Sequence, residues 1–173
     1  MIGPLVTDRL TLRELALPDA PFIRRLLNEP SFLRFIGDRG VRSEADAVSY
    51  LLRGPMASYA RHGHGLLRVG LRDDDSPVGI CGLVQRDTLP LPDIGFAFLP
   101  EHWSRGFAFE AAEAALHHGR DQLGLAAVLA IVSPGNDRSV ALLERLGLRF
   151  EREVALGDDP RPLLLFRIDL PAA

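Results

Sequence analysis

The sequence predicts one domain of mixed α/β class, in which strands and helices alternate along the chain. Its 173 residues are a length typical of a single domain with a sizeable core. Stretches in which apolar and polar residues alternate are separated by stretches with helical spacing of apolar residues, and by turns rich in Gly and Pro. The sequence contains no internal repeat, linker or low-complexity segment, so we expect residues 1–173 to form a single domain.

The N-terminal part is predicted to hold one half-buried strand and two helices. Ser43, with Asp46 three positions later, resembles a capping signal for the second helix. That helix is disturbed near Gly54 and Pro55, because proline cannot donate a helical hydrogen bond. Residues 28–40, rich in Pro, Gly and aromatic residues, are predicted as an ordered loop or a short helix. The predicted bounds are a strand over 9–15 and helices over 18–27 and 43–60.

The rest of the chain is predicted to hold six strands and two helices. The first two strands form a hairpin, joined by an acid-rich turn at residues 72–76. Small residues, Gly95 and Ala97, occupy one face of the third strand and leave room for a packed helix or a ligand to approach the backbone. The predicted strands cover 66–71, 77–84, 93–99, 127–132, 148–154 and 163–170, and the helices cover 106–123 and 137–146.

Three features of the composition restrict the chemistry. All 20 basic residues are arginine, which excludes Schiff-base catalysis, pyridoxal-phosphate attachment and the lysine of a P-loop. The net charge of −3 argues against a general nucleic-acid-binding protein. Cys81 is the only cysteine and cannot form an internal disulfide; its apolar neighbours predict a small buried residue rather than a nucleophile.

Neither a membrane segment nor a metal site is predicted. The first residues lack a basic segment followed by an apolar stretch, so we expect no signal peptide. The longest apolar run, residues 123–132, is too short to span a bilayer, and the expected location is cytoplasmic. Four of the five histidines occur in two close pairs, but no Cys or carboxylate stands at ligand spacing around them. We therefore predict surface histidines and no metal.

A strand, a loop and a helix start follow one another over residues 93–108. A helix start presents unpaired backbone N–H groups and the positive end of the helix dipole, which together bind phosphate oxygens. Gly106 lets the backbone approach an anion without a Cβ, and Ala108 keeps the first helical turn narrow. Arg105 either adds a cationic contact or points into solvent. By itself this segment predicts only an anion site, because a Gly between a strand and a helix is common.

The residues around this loop resemble the acetyl-CoA signature of the GNAT superfamily of N-acetyltransferases. The resemblance covers residues 93–111, in which residues 100–108 read Pro-Glu-His-Trp-Ser-Arg-Gly-Phe-Ala, and it is strongest to the branch of ribosomal-protein N-terminal acetyltransferases (RimJ/RimL type). As in that branch, Trp103 replaces the Gln or Arg of the family core, whereas Gly106 and Ala108 fit that core. Residues 7–13 resemble the opening strand of the branch, and residues 136–147 resemble its Asn-x-x-Ser segment and last core helix.

The resemblance implies the GNAT fold, a twisted and mostly antiparallel sheet of about six to seven strands with a V-shaped splay, flanked by about four helices. It implies direct transfer of an acetyl group from acetyl-CoA, as co-substrate, to a primary amine. The pyrophosphate would lie on the loop amides, the pantetheine would pair with the preceding strand, and one N–H there would stabilise the thioester oxyanion. The cofactor-binding residues carried over to this chain are Phe96, Phe98, Trp103, Ser104, Arg105, Gly106, Phe107, Ala108, Phe109 and Asn136.

The resemblance also assigns candidate catalytic residues. Asp93 matches a position where relatives carry a Glu that accepts the proton of the amine, directly or through water; alternatively it begins the strand and faces solvent. Glu101 is a second candidate base, or a loop residue. Ser139 is available to protonate the departing thiolate, or is an ordinary serine of a first helical turn. The Tyr that serves as this acid in other branches is absent, since Tyr50 and Tyr59 lie in the N-terminal half.

Two other classes of function stay open on the sequence. One is a non-catalytic acyl-CoA-binding or regulatory module. The other is a small serine hydrolase, in which Ser104 would be the nucleophile, although His102 stands where the tight turn needs a Gly. The expected acceptor is a small-molecule amine or a peptide N-terminus, with no nucleic acid or membrane partner, and a homodimer is compatible with the sequence. Arg34, Arg39 and Arg42 favour an acidic acceptor or are scattered surface residues.

Overall fold

An eight-stranded sheet forms the centre of the computed structural model, which describes residues 1–172. Neighbouring strands are antiparallel, except for one parallel pair near the middle. In chain order the strands are β1 (Leu5–Val6), β2 (Leu10–Glu14), β3 (Leu66–Leu71), β4 (Pro77–Val84), β5 (Asp93–Phe98), β6 (Ala127–Val132), β7 (Arg149–Val154) and β8 (Leu163–Asp169). Across the sheet the order is β1-β2-β3-β4-β5-β6-β8-β7.

The α-helices follow β2, β5 and β6, and they include the predicted capped helix. Ser43 Oγ accepts a hydrogen bond from the Asp46 N–H at 3.0 Å, and the Asp46 carboxylate accepts one from the Ser43 N–H at 2.9 Å. These two bonds satisfy backbone donors that the first helical turn leaves free. The helices are α1 (Ala20–Leu27), α2 (Pro30–Phe35), α3 (Glu44–Arg53), α4 (Pro55–His62), α5 (Phe107–Asp121) and α6 (Asp137–Arg145), with short 3-10 turns at Leu17–Asp19 and Pro100–His102.

The predicted mixed α/β fold with a mostly antiparallel sheet is confirmed, with two differences in detail. The sheet has eight strands rather than six or seven, because β1 is only two residues long and shows no alternation that a sequence pattern could detect. The described residues contain six α-helical segments rather than about four. The extra ones arise because residues 28–40 contain α2, and because the disturbance at Gly54 divides the predicted helix into α3 and α4.

The side chains of β5 alternate between two hydrophobic cores on opposite faces of the sheet. Ile94 and Phe98 are buried in the core that α5 covers. Leu99, just after the strand, is buried in the second core together with Ile23 of α1 and Leu51 of α3. Because successive side chains on a strand point to opposite faces, β5 presents one face to each helical layer.

The sheet splits between β5 and β6, as the predicted V-shaped splay requires. Within residues 1–172 these parallel strands register at one residue pair, Asp93 with Leu129. The Leu129 N–H donates to the Pro92 carbonyl at 2.9 Å. From there β6 continues as a partner of β8, so the β5 edge beyond Asp93 is not covered by β6. At the mouth of the split, Ser133 Oγ donates to the Phe35 carbonyl at 2.6 Å and joins the N-terminal helices to β6.

The prediction that the histidines lie on the surface is wrong for two of them. His64 is only 8% exposed, and its Nδ1 lies 2.9 Å from the Leu83 carbonyl oxygen. His118 is half-buried on α5, and both of its ring nitrogens are buried without a hydrogen-bond partner within residues 1–172. Cys81 is buried as predicted, and burial raises the pKa of its thiol to about 12.

The described part of the chain shows neither a metal-binding cluster nor a membrane-spanning helix. Residues 1–172 contain no group of three or more His, Cys, Asp or Glu side chains arranged to hold a metal ion. None of the helices in that range has the length and apolar character needed to cross a bilayer.

Candidate active site

The loop between β5 and α5 contains two residues with left-handed backbone. Gly106 precedes α5 with φ of 81° and ψ of 6°, a conformation that glycine adopts without steric cost. Ser104 has φ of 61°, which is uncommon for a residue with a Cβ. Together they turn the chain from the end of β5 into the first turn of α5, whose free N–H groups the loop leaves accessible.

Replacing Ser104 with Gly is expected to raise the free energy of unfolding by about 0.5 to 1 kcal/mol. A left-handed backbone costs a residue with a Cβ about 1 to 2 kcal/mol, and glycine removes this strain. Part of the stabilisation is offset because Gly loses more conformational entropy on folding. Chemical unfolding of Ser104→Gly measures the change. Ser49→Gly is the matched control, because Ser49 lies within α3 and the same substitution there removes helical propensity. A loss of stability in Ser104→Gly as large as that in Ser49→Gly would contradict the assignment of strain to Ser104.

Trp103 ties this loop to the end of β5. Its Nε1–H donates to the Phe98 carbonyl at 2.8 Å, and its ring packs against the core that α5 covers. An indole N–H can only donate a hydrogen bond. It therefore supplies the donor that a neighbouring strand would otherwise offer to the Phe98 carbonyl. Trp103 therefore fixes the position of the loop relative to the split in the sheet.

The backbone of β5 offers hydrogen-bonding groups to the split. In an antiparallel pair the bonding direction alternates from residue to residue. The Leu99 N–H donates to the Val78 carbonyl of β4 at 2.9 Å, so the N–H groups of Phe98 and Phe96 point away from β4. They face the side on which β6 has diverged. An extended ligand can therefore bind along this edge like an additional strand.

Arg9 holds the loop from the far side, a role that the sequence analysis missed. Its Nη1 donates to the Arg105 carbonyl at 2.8 Å, and its Nε donates to Glu110 of α5 at 2.7 Å. Glu110 also accepts bonds from the Thr7 hydroxyl at 2.6 Å and from the Arg9 N–H at 2.9 Å. Partial burial alone would raise the pKa of Glu110, but these hydrogen bonds outweigh it and lower that pKa, which keeps the carboxylate charged.

Arginine side chains stack on the aromatic rings of this region. The guanidinium carbons of Arg9 and Arg105 lie 4.6 Å and 4.8 Å from the centre of the Phe107 ring. Arg138 lies 4.4 Å above Trp103, and Arg145 lies 4.4 Å above Phe109. Stacked guanidinium groups keep their charge and most of their N–H donors free, so the surface around the loop is suited to phosphate groups.

Two cavities adjoin at the split. The first, here the loop cavity, has a volume of about 420 Å³ and is lined by the loop and by α6. The second, here the Asp93 cavity, has a volume of about 590 Å³ and reaches Asp93 and Arg86. Both are in the usual range for small-molecule sites. They share walls that include Phe96, Ala97, Asn136 and Ser139.

Most of the predicted cofactor-binding residues line the loop cavity. Phe96, Phe98, Trp103, Ser104, Gly106, Phe107, Ala108, Phe109 and Asn136 are among its lining residues. Arg105 is not among them, and its guanidinium carbon lies 4.8 Å from the centre of the Phe107 ring. The structure thus brings together a set of residues that the sequence selected by motif, with Arg105 at the outer side of the loop.

Asn136 and Ser139 lie at the boundary of the two cavities, at the start of α6. The Asn136 Oδ1 accepts a hydrogen bond from the Ser139 N–H at 3.4 Å, which caps the helix and leaves the amide NH₂ for another partner. The Ser139 hydroxyl has no hydrogen-bond partner within residues 1–172 and borders both cavities. Both side chains are therefore placed to contact whatever passes from one cavity to the other.

Asp93 is buried, so the interpretation in which it faces solvent is wrong. It is 1% exposed, and its Oδ1 accepts a hydrogen bond from Arg86 Nε at 2.9 Å. Burial raises the pKa of Asp93, and the positive charge and hydrogen bond of Arg86 oppose that rise. A buried carboxylate whose pKa is raised is a stronger proton acceptor than a free one. Glu101, the second candidate base, is exposed and forms an ion pair with Arg25.

Tyr50 also lines the Asp93 cavity and was not predicted as a site residue. It lies on α3, and burial raises the pKa of its phenol despite the opposing charges of Arg39 and Arg86. The phenol is therefore protonated at neutral pH and is available as a hydrogen-bond donor. Sequence reasoning looked for a tyrosine near the last core strand, whereas the fold brings this one from α3.

Known proteins share both the sequence pattern and this architecture. The chain matches the acetyltransferase (GNAT) domain family over residues 9–149. It is 29% identical over 153 residues to the uncharacterized N-acetyltransferase YoaA of Bacillus subtilis. The matched region covers 87% of this chain and 85% of YoaA. An acetyltransferase structure from Agrobacterium tumefaciens is similar with a TM-score of 0.82 and 29% identity, over 98% of this chain and 96% of that one. RimL, a ribosomal-protein acetyltransferase solved with coenzyme A, shares the fold with a TM-score of 0.81 at 14% identity, over 99% of this chain and 100% of that one.

Proposed function

Because the chain belongs to the GNAT family of acetyltransferases, we propose that it transfers an acetyl group from acetyl-CoA to a primary amine. The acceptor is a small-molecule amine or a peptide N-terminus. The observation that carries this proposal is the pair of cavities that adjoin across the uncovered edge of β5. One cavity is suited to the acyl donor, the other to the acceptor, and the reacting atoms meet at their shared walls.

Acetyl-CoA fits the loop cavity by its chemistry. The amides of residues 104–109 and the start of α5 suit the pyrophosphate, and the stacked guanidinium groups of Arg138 and Arg145 suit further phosphate groups. The pantetheine arm, which carries amide groups, pairs with the backbone of Phe96 and Phe98. Asn136 donates its free amide N–H to the same arm.

The reaction is a direct attack of the amine nitrogen on the thioester carbonyl carbon. A C–N bond forms, the C–S bond breaks, and the amine loses one proton while the thiolate takes one up. The Phe98 N–H, which points into the split, stabilises the oxyanion that develops on the carbonyl oxygen. This residue acts through its backbone, so the side chain contributes packing only.

Asp93 accepts the proton of the amine through water in this proposal. It lies on the same face of β5 as Gly95 and Ala97, which line the Asp93 cavity without filling it. Asp93 and Phe98 are five residues apart on a strand, or about 17 Å between Cα atoms. That separation is too long for direct contact with an amine at the thioester, so a chain of water molecules bridges it.

Ser139 donates a proton to the departing thiolate in this proposal, since its hydroxyl borders both cavities. The demand on this acid is small, because a thiol has a pKa of about 8.5 and the thiolate is a tolerable leaving group. The protonated phenol of Tyr50 lies in the Asp93 cavity and is a second donor on the acceptor side.

The alternative of a serine hydrolase receives little support from the site. Ser104 Oγ lies 3.3 Å from Arg138 Nη2, and an arginine cannot act as a base toward a serine. The alternative of a non-catalytic acyl-CoA-binding module shares the loop cavity with the enzyme, and the two differ only in turnover.

Release of free thiol from acetyl-CoA tests the proposal. The protein is incubated with acetyl-CoA and a panel of amines, with a parallel reaction that lacks amine. Amine-dependent thiol release together with an acetylated product would support the transferase. Tight acetyl-CoA binding without turnover on any amine would favour the module, and ester hydrolysis that is lost in Ser104→Ala would favour the hydrolase. A cytoplasmic location and the absence of nucleic-acid and membrane partners stay predictions from the sequence, as does compatibility with a homodimer.

A further inference from the structure

The Asp93 cavity carries more positive than negative charge. Its lining contains four arginines and two aspartates, together with apolar walls from both hydrophobic cores. The charged residues are Arg34, Arg39, Arg86, Arg161, Asp93 and Asp159.

Both aspartates already have arginine partners. Asp93 Oδ1 accepts a hydrogen bond from Arg86 Nε at 2.9 Å. Asp159 accepts from Arg161 Nη2 at 2.6 Å and from Arg161 Nε at 2.9 Å, and these bonds lower the pKa of Asp159 to about 2. Within residues 1–172 no carboxylate forms an ion pair with the two remaining arginines of the cavity.

Those two arginines, Arg34 and Arg39, line the cavity from α2 and the loop after it, and both are exposed to solvent. The guanidinium carbon of Arg34 lies 4.8 Å from the centre of the Phe35 ring, and Phe35 lines both cavities. The positive charge of Arg39 acts on the Tyr50 phenol within the same cavity. A guanidinium stacked on a ring keeps its edge free to bind a planar anion with two hydrogen bonds.

Arg42, which the sequence analysis grouped with them, has a different role. It donates to Asp38 at 2.6 Å and to the Asn28 side chain at 2.8 Å, and it does not line the cavity. Its charge is used to hold the loop that follows α2. The pair of free charges therefore consists of Arg34 and Arg39.

We propose that the acceptor is an amine that also carries a carboxylate, held at the mouth of the Asp93 cavity by Arg34 and Arg39. This inference rests on the proposed function, because it assumes that the Asp93 cavity is the acceptor side. The amine of such a molecule points toward β5, where the adjoining loop cavity supplies the thioester. A polyamine is a poor acceptor, since its remaining positive charges meet two unpaired arginines.

Matched substrates that differ only in the carboxylate test the proposal. Amino acids are compared with their carboxamides, which tests free amino acids as acceptors. The C-terminally amidated dipeptide Ala-Asp is compared with C-terminally amidated Ala-Asn, which tests peptide N-termini that carry an acidic side chain. We expect kcat/KM to be at least about tenfold higher for the acid in one of these two series, as befits a charge-assisted, bidentate contact. Spermidine is expected to be a poor substrate, and a preference for O-phosphoethanolamine over every carboxylate would overturn the assignment to a carboxylate.

The double variant Arg34→Gln/Arg39→Gln is expected to lose that preference of about tenfold or more while acetyl-CoA affinity stays unchanged. Arg53→Gln is the charge-matched control, because Arg53 ends α3 and does not line the cavity. Calorimetric titration of the same acids and amides into the CoA complex gives a readout that needs no turnover. Preferential, arginine-dependent binding of the acids without acetylation would support this inference and refute the transferase. Equal binding of acids and amides, or an equal loss in the control variant, would overturn it.

Discussion

Acetyl-CoA binding is expected to weaken about 100-fold or more in Gly106→Asp. A carboxylate placed at the start of α5 lies within several ångströms of the proposed pyrophosphate site, where two unit charges repel by about 4 kcal/mol at 4 Å. A Cβ at this position would also come within 3.2 Å of Arg9 Nη2. The new carboxylate would therefore compete with Glu110 and the Arg105 carbonyl for Arg9, which holds the loop.

Gly106→Asn is the matched control for this effect. Asn and Asp have nearly the same size, and both tolerate the left-handed backbone that Gly106 adopts with φ of 81°. The dissociation constants of acetyl-CoA for the two variants, measured by calorimetry, then differ only by the introduced charge. We expect the Asn variant to lose about tenfold at most. Equal affinities of the two variants would refute phosphate binding at this loop.

Local signals account for how well the strands and helices were predicted. Strands β3 and β4 were predicted at their observed bounds, because each is an apolar run enclosed by turn residues. The cap at Ser43 was predicted because its two hydrogen bonds depend on residues three positions apart. In contrast, the two residues of β1 are too few to show a period, and β1 is held by its pairing with β2. A strand of that kind follows from tertiary structure alone.

Residues of the candidate site divide in the same way. The loop was found because a Gly before a helix start is a local pattern, and its resemblance to a family made that pattern specific. Arg9 was missed because its partners, Arg105 and Glu110, lie 96 and 101 residues away. The pair of Asp93 and Arg86 was within reach of sequence reasoning. Asp93 registers opposite Val84 in the β4–β5 hairpin, so Arg86, two residues further on, lies close to it.

The two cavities required the three-dimensional structure, because they depend on where β5 and β6 diverge. No sequence pattern marks the residue at which a parallel pair stops registering. In this chain it is Asp93, so the buried carboxylate stands at the base of the split and at the end of one cavity. This placement turns a residue with an ambiguous sequence role into a candidate base with a raised pKa.

Asp93→Asn is expected to lower kcat by about 10² to 10⁴, the usual contribution of a general base, with the dissociation constant of acetyl-CoA unchanged. Asn has the same shape but cannot accept a proton, so the acidic limb of the pH profile of kcat/KM should disappear as well. Because the pKa of Asp93 is raised in the folded state, the protein is more stable with this carboxyl group protonated than ionised. This contribution to the free energy of unfolding is lost as pH rises through the folded-state pKa. The neutral Asn avoids this loss, and thermal unfolding near pH 7 should therefore show a midpoint no lower than that of the wild type.

Arg86→Gln distinguishes this catalytic role from a structural one. Arg86 opposes the rise in the pKa of Asp93, so its removal should move the acidic limb to higher pH, while activity well above that limb is retained. If the Asp93–Arg86 ion pair were only structural, both Asp93→Asn and Arg86→Gln would lose activity at every pH. An acidic limb that stays in place in Arg86→Gln, or one that persists in Asp93→Asn, would remove Asp93 from the mechanism. The proton of the amine would then have to leave through solvent alone.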